Sequence, residues 1–134
     1  MATKRTLNNI IAGVRATIDT DVKFPVVDGH ALIVLKHLGD ILREYFPGNV
    51  EMTHGKAVTL LARIDTIMSL SAHYSPTMTH VWDMVMALNF YVRAADSNPQ
   101  FNENSLDRAN FYYNRYLADN RQMVSEKSNT RISA

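Results

Sequence analysis

Apolar residues recur at helical spacing along most of the chain, and in one segment they occupy more than one side. Between Pro76 and Ala95 the sequence reads PTMTHVWDMVMALNFYVRAA. Projected at about 100° per residue, Val81, Val85, Leu88 and Val92 make one stripe, and Trp82, Met86 and Phe90 make a second. A helix that is apolar on two faces is enclosed by neighbours. The pattern predicts a central helix over 76–95, wrapped by the rest of the chain or covered in part by a second copy.

Four further segments supply the wrapping. From Thr6 to Asp19, Leu7, Ile10, Ile11, Val14 and Ile18 share a face, with Asn8, Arg15 and Ala16 opposite. The stretch DTDVKFPVVDG breaks this helix, because Pro25 disfavours helix at Phe24 and the valines read as extended. A short strand here would have no obvious partner. Asp28 is placed to cap a second helix that reaches Phe46 before Pro47-Gly48 ends it. Its inward residues are Ala31, Val34, Leu35, Leu38, Ile41, Leu42 and Tyr45. Leu32 and Ile33 lie off that stripe, which predicts cover on two sides of the first turns.

The third helix starts near Thr53, with Ala57, Leu60, Leu61, Ile64, Ile67 and Met68 inward and Arg63 outward. It stops before Ser75-Pro76, a cap followed by a proline suited to the first turn of the central helix. Asp96-Ser-Asn-Pro closes that helix. A fifth begins at Asn104 or Ser105 and continues to about Val124, with Leu106, Ala109, Tyr113, Tyr116, Leu117 and Val124 on one side. The expectation is an all-α fold: a compact, antiparallel-type bundle of about five helices around a central helix 76–95. Residues 1–124 make a single domain, and 125–134 a polar tail with little to bury.

Composition agrees with this picture and narrows the function classes. The 134 residues are 46% hydrophobic and 20% charged, within the ordinary range for a globular domain. The chain has no cysteine, which excludes disulfides and thiol catalysis and fits a reducing, cytoplasmic setting. The opening MATKRTLNNIIAGV lacks the apolar core and cleavage pattern of a secretory signal, and Ala2 excludes the myristoylation pattern. His80, Asp83, Asn89 and Arg93 interrupt the central helix, which argues against a membrane span. A formal net charge of +1 gives no global attraction to nucleic acid or anionic lipid.

Catalytic patterns are sparse. His37 with Asp40 and His80 with Asp83 stand one helical turn apart, close enough to hydrogen bond or share a metal. Glu51-Met-Thr-His54 has the Glu-x-x-His spacing of carboxylate-bridged di-iron bundles. Such bundles need a second motif and two more glutamates, and Glu44 and Glu103 are poorly placed to provide them. Asp40 reads as a solvated acid near Lys36 and Arg43. Asp83 reads as a buried acid neutralised by His80 or from another helix, since an unpaired buried carboxylate is costly. There is no Gly-rich phosphate loop, nucleophile elbow or paired Glu-x-x-Glu. A metal-dependent helical enzyme centred on His54, His80 and Asp83 is the weakest of three readings, and no catalytic residue, metal or cofactor is assigned.

Interaction residues are better defined. In SLDRANFYYNRYLADNR, Tyr113 and Tyr116 follow the core stripe and Tyr112 lies at its margin. Phe111 projects away from it, beside Arg115. Aromatic and arginine side chains are favoured at the centres of protein interfaces. A loop or tail folded over Phe111 is the plainer explanation. Met78, Met84 and Met86 crowd the central helix, and flexible thioethers suit either core packing or an adaptable groove.

These features favour a non-enzymatic protein-binding or assembly module, self-associating or docking on a protein partner through Phe111, Tyr112, Arg115, Trp82 and Met86. Small size without a catalytic signature fits an adaptor, an inhibitor or a structural component, including one of viral origin. The alternative is a nucleic-acid-binding helical protein that uses the basic first and last helices through Lys4, Arg5, Arg15, Arg108 and Arg121. Scattered basic residues on helix exteriors also serve solubility.

Overall fold

A computed structural model of the chain describes residues 4–24, 29–46, 52–71, 79–96 and 104–133. They form five helices: α1 (Lys4–Lys23), α2 (Gly29–Tyr45), α3 (His54–Ser71), α4 (Thr79–Ala95) and α5 (Ser105–Ser133). No strand occurs among the described residues. Of the stretch DTDVKFPVVDG, where a short strand is one expectation, the part up to Lys23 is helical; residues 25–28, with the expected Asp28 cap, lie outside the described residues, as does Pro76.

α4 is central, packing against each of the other four helices. Its buried face holds Val81, Met84, Val85, Ala87, Leu88, Tyr91 and Val92. These residues meet Ile11, Val14 and Ile18 of α1, Leu35, Leu38 and Leu42 of α2, Leu60 and Ile64 of α3, and Ala109 and Tyr116 of α5 in one core. The second predicted stripe behaves differently, since Trp82, Met86 and Phe90 are only half-buried. α5 packs along one flank of α4, on the side of Asp83, Ala87 and Tyr91, and leaves this stripe at the edge of the contact.

α1 continues past Asp19 to Lys23, and the Phe24 amide still bonds to the Thr20 carbonyl at 2.9 Å. The extra turn has tertiary support that outweighs its β-branched residues: Val22 packs on the core, and Asp21 accepts a hydrogen bond from the Tyr116 hydroxyl. Pro25 sets the boundary.

In α2 the predicted inward stripe is buried, with Tyr45 at its edge. Ile33, expected to be covered, is 54% exposed. It sits about 100° around the helix from Val34, outside the arc that faces α1, α3 and α4. The end of α2 is tied to α1, where the Arg15 guanidinium donates to the Phe46 carbonyl at 3.0 Å. An exposed bridge reinforces the same pair, because Arg43 bonds Asp19 of α1 at 2.8 Å and Asp40 on its own helix at 2.8 Å.

α3 opens with Thr53, whose hydroxyl accepts from the Lys56 amide at 3.3 Å as an N-cap. Arg63 points outward as expected, pairing with Glu44 at 2.6 Å and lying over the Tyr45 ring. α5 follows Asn104, which takes a left-handed conformation at φ 61°, a region asparagine tolerates better than most residues. The helix does not stop near Val124. With no glycine or proline between Ser105 and Ser133, it carries the backbone of residues 125–133, read from sequence as a tail, into regular helix. Among the described residues, no helix is long and apolar enough to cross a membrane.

Candidate functional site

α4 and α5 run antiparallel, and their side chains fix the register. Near the start of α4, Asp83 receives the Arg115 guanidinium, Nε on Oδ2 at 3.0 Å and Nη2 on Oδ1 at 2.6 Å. Near its end, the Tyr91 hydroxyl donates to Asn110 at 2.7 Å. The Asp83 side chain is 5% exposed and that of Arg115 50%, so a buried carboxylate anchors a cation at the surface. This pairing holds Arg115 in its charged form, above its ordinary range. Of the two partners expected for Asp83, a residue on another helix is thus present, while the His80 side chain lies outside the described residues.

The anchored guanidinium organises a set of rings. It lies 5.2 Å from the centre of Phe111 and 5.4 Å from that of Tyr112, within cation–π range of both. Phe111 meets Tyr112 edge-on at 5.3 Å, and Tyr112 stacks on Phe90 of α4 at 5.9 Å with the planes 2° apart. Arg108 covers the Phe90 ring at 5.7 Å. Phe111 is 58% exposed, and the 97–101 loop and the side chains of the tail, read from sequence as its plainer cover, lie outside the described residues. The result is a surface patch of three rings and two guanidiniums, flanked on α4 by the half-exposed stripe of Trp82, Met86 and Arg93.

Three of the residues chosen from sequence, Phe111, Tyr112 and Arg115, thus come together. Trp82 and Met86 lie on the adjoining edge of α4. From sequence Phe90 belongs to an apolar stripe, and Asp83 is a buried acid or a partner of His80, neither of them part of the docking surface. Their part in the patch depends on how α4 and α5 face each other, which one-helix periodicity does not contain. The nearest signal is an acid on the mostly apolar α4 and an arginine on the exposed side of α5.

Two of the residues proposed for nucleic acid have other engagements. Arg15 is committed to the Phe46 carbonyl, and Arg108 to the Phe90 ring. The side chains of Lys4, Arg5 and Arg121 lie outside the described residues. The grouping of His54, His80 and Asp83 is not assembled. His54 Nδ1 lies 2.9 Å from an oxygen of the buried Asp96, just past the end of α4, whereas Asp83 is in its first turns. The two sites are about 20 Å apart along the helix. Glu51 and the His80 side chain lie outside the described residues. Among those described, no three His, Asp or Glu side chains converge as a metal site.

The described surface also holds two shallow grooves, each of about 330 Å³. One, between α1 and α2, has Ile18, Val22 and Leu35 in its lining and the Asp19–Arg43–Asp40 bridge across it. The other, between α2 and α3, is lined by His37, Asp40, Ile41, Arg63, Thr66 and Ile67. In the second groove the Thr66 hydroxyl donates to the Ala62 carbonyl of its own helix at 3.0 Å and Arg63 pairs with Glu44. Comparison with protein-family models, with curated proteins and with solved structures found no match to this chain.

Proposed function

We propose that this protein is a non-catalytic docking module that binds a protein partner through the α4–α5 aromatic and arginine patch. The observation that carries the reading is the use of a buried carboxylate, Asp83, to fix a surface side chain, Arg115, across the exposed ring of Phe111. Ordering a long cation before association lowers the entropic cost of binding. Rings and arginines are also the side chains that most often dominate interface energetics. Trp82 and Met86 extend the contact along α4. An adaptor, an inhibitor or a structural component, of viral or cellular origin and acting in the cytoplasm, would work in this way without a reaction centre.

Site-specific photo-crosslinking tests the reading in the cell that makes the protein. A benzophenone amino acid replaces Phe111 in one variant and the exposed Ala62 of α3 in another. A discrete adduct from position 111 that position 62 does not give is the expected result. An adduct at twice the chain mass of 15.2 kDa would identify the partner as a second copy. Equal or absent crosslinking at the two positions would overturn the assignment.

A further inference from the structure

The patch carries positive charge that no described carboxylate pairs with. Asp83 neutralises Arg115, and Asp19 and Asp40 neutralise Arg43. Among the described residues, no carboxylate pairs with Arg93 or Arg108. Arg93 places its Nε on the Asn89 side chain at 2.8 Å, and Arg108 lies over Phe90. The register set by Tyr91 with Asn110 and by Phe90 with Tyr112 puts Arg93 at the level of Arg108, near Phe90. One end of the ring cluster is therefore cationic, while the end at Phe111 and Tyr112 is apolar and electrically balanced.

We infer that the occupant of this surface is an acidic, apolar protein segment, with an aspartate or glutamate between Arg93 and Arg108 and an apolar side chain against Phe111 and Tyr112. The inference rests on the docking reading above. Arg108 and Phe111 are one turn apart, about 5 Å along α5. That is the spacing of an acid and an apolar residue three or four positions apart on a helical partner.

Two other occupants fit less well. A single-stranded nucleic acid needs open ring faces on which bases stack. Here Arg108 lies over Phe90, Arg115 over both Phe111 and Tyr112, and Phe90 and Tyr112 face each other. A second copy in a two-fold contact would bring the same patch against itself, with the Arg93 and Arg108 charges of one copy facing those of the other. Like charges brought together across an interface oppose association. An acidic segment meets neither obstacle.

Selection from a library of random peptides displayed on phage tests the inference, using the full chain as bait. The expected enrichment is an Asp or Glu three or four positions from Leu, Phe, Trp or Met. A synthetic peptide of that pattern should bind roughly tenfold more weakly to the double variant Arg93→Glu with Arg108→Glu. Replacing its acid by lysine should restore binding to that variant, which a merely unfolded protein would not show. Phe111→Ser should weaken binding of the same peptide.

Selected peptides without acidic bias that still lose binding on Phe111→Ser would overturn the acidic-partner inference and leave the docking reading intact. Peptides that bind all variants equally would overturn both. Absence of any enrichment would also overturn the inference. So would salt-sensitive binding of oligothymidylate that the double reversal abolishes, which would place a nucleic acid on this surface.

Discussion

Asp83 and Arg115 form a two-point ion pair between α4 and α5, with the acid buried and the base half in solvent. The asymmetry sets the order in which substitutions hurt. Arg115→Ala strands a carboxylate where water does not reach, and breaking one side of such a pair costs more than removing both charges. Arg115→Ala should therefore lower Tm more than the double replacement Asp83→Asn with Arg115→Met. Thermal melts of the two variants check this, and equal or reversed shifts would mean that Asp83 finds water or another donor.

Phe111 and Leu88 separate surface from core. Phe111 is exposed and Leu88 is fully buried in the central helix. Phe111→Ser should change folding stability by no more than about 0.5 kcal/mol. Leu88→Ala should cost about 2–5 kcal/mol through lost burial and a residual cavity. Trp82→Ala falls between, at roughly 1–3 kcal/mol, because its ring is only half-buried. Denaturant titration gives all three, and a Phe111→Ser loss as large as that of Leu88→Ala would place Phe111 in the core.

The all-α class, the five helices and most of the core stripes were legible in the sequence because each helix carries its own periodicity. α1 and α2 show where that legibility ends. Lys23 remains helical because Val22 and Asp21 find partners on other elements, and Ile33 remains exposed because none of the described helices packs on its side of α2. α5 shows the converse: nothing in its sequence breaks the helix, so it outlasts its apolar pattern. The pairing of Phe111 with Arg115 followed from their spacing on one helix. Stacking of Phe90 on Tyr112, like the pairing of His54 with Asp96, depends on packing between segments distant in sequence.

Gly13 and Gly39 are both helical, and their surroundings differ. A Cβ at Gly13 meets nothing within 4 Å, whereas one at Gly39 lies 3.4 Å from Ile18 Cγ2 and 3.3 Å from the Arg43 guanidinium. Gly13→Ala should therefore stabilise by about 0.5–1 kcal/mol, the usual helical gain. Gly39→Ala should gain less, because α1 and α2 approach each other there and Arg43 must shift from its bridge to Asp19. Chemical denaturation of the two variants reads the difference. An equal gain would show that the α1–α2 contact yields without cost.

Tyr91 makes stability depend on alkaline pH. Burial, with the nearby Tyr113 as a smaller influence, pushes its phenol from 10.0 to about 12. Between those values the unfolded chain has lost the proton that the folded chain still holds, so unfolding releases a proton. The stability associated with this group is fully present below pH 10 and declines as pH rises toward 12. Tyr91→Phe removes the ionisation together with the hydrogen bond to Asn110, whose loss costs about 1 kcal/mol near neutral pH. The variant should thus be less stable than the wild type at pH 7 and show a shallower decline above pH 10. Urea titrations across this range, with tyrosinate absorbance followed in parallel, measure both effects. Parallel alkaline declines in the two proteins would assign the pH dependence to other groups.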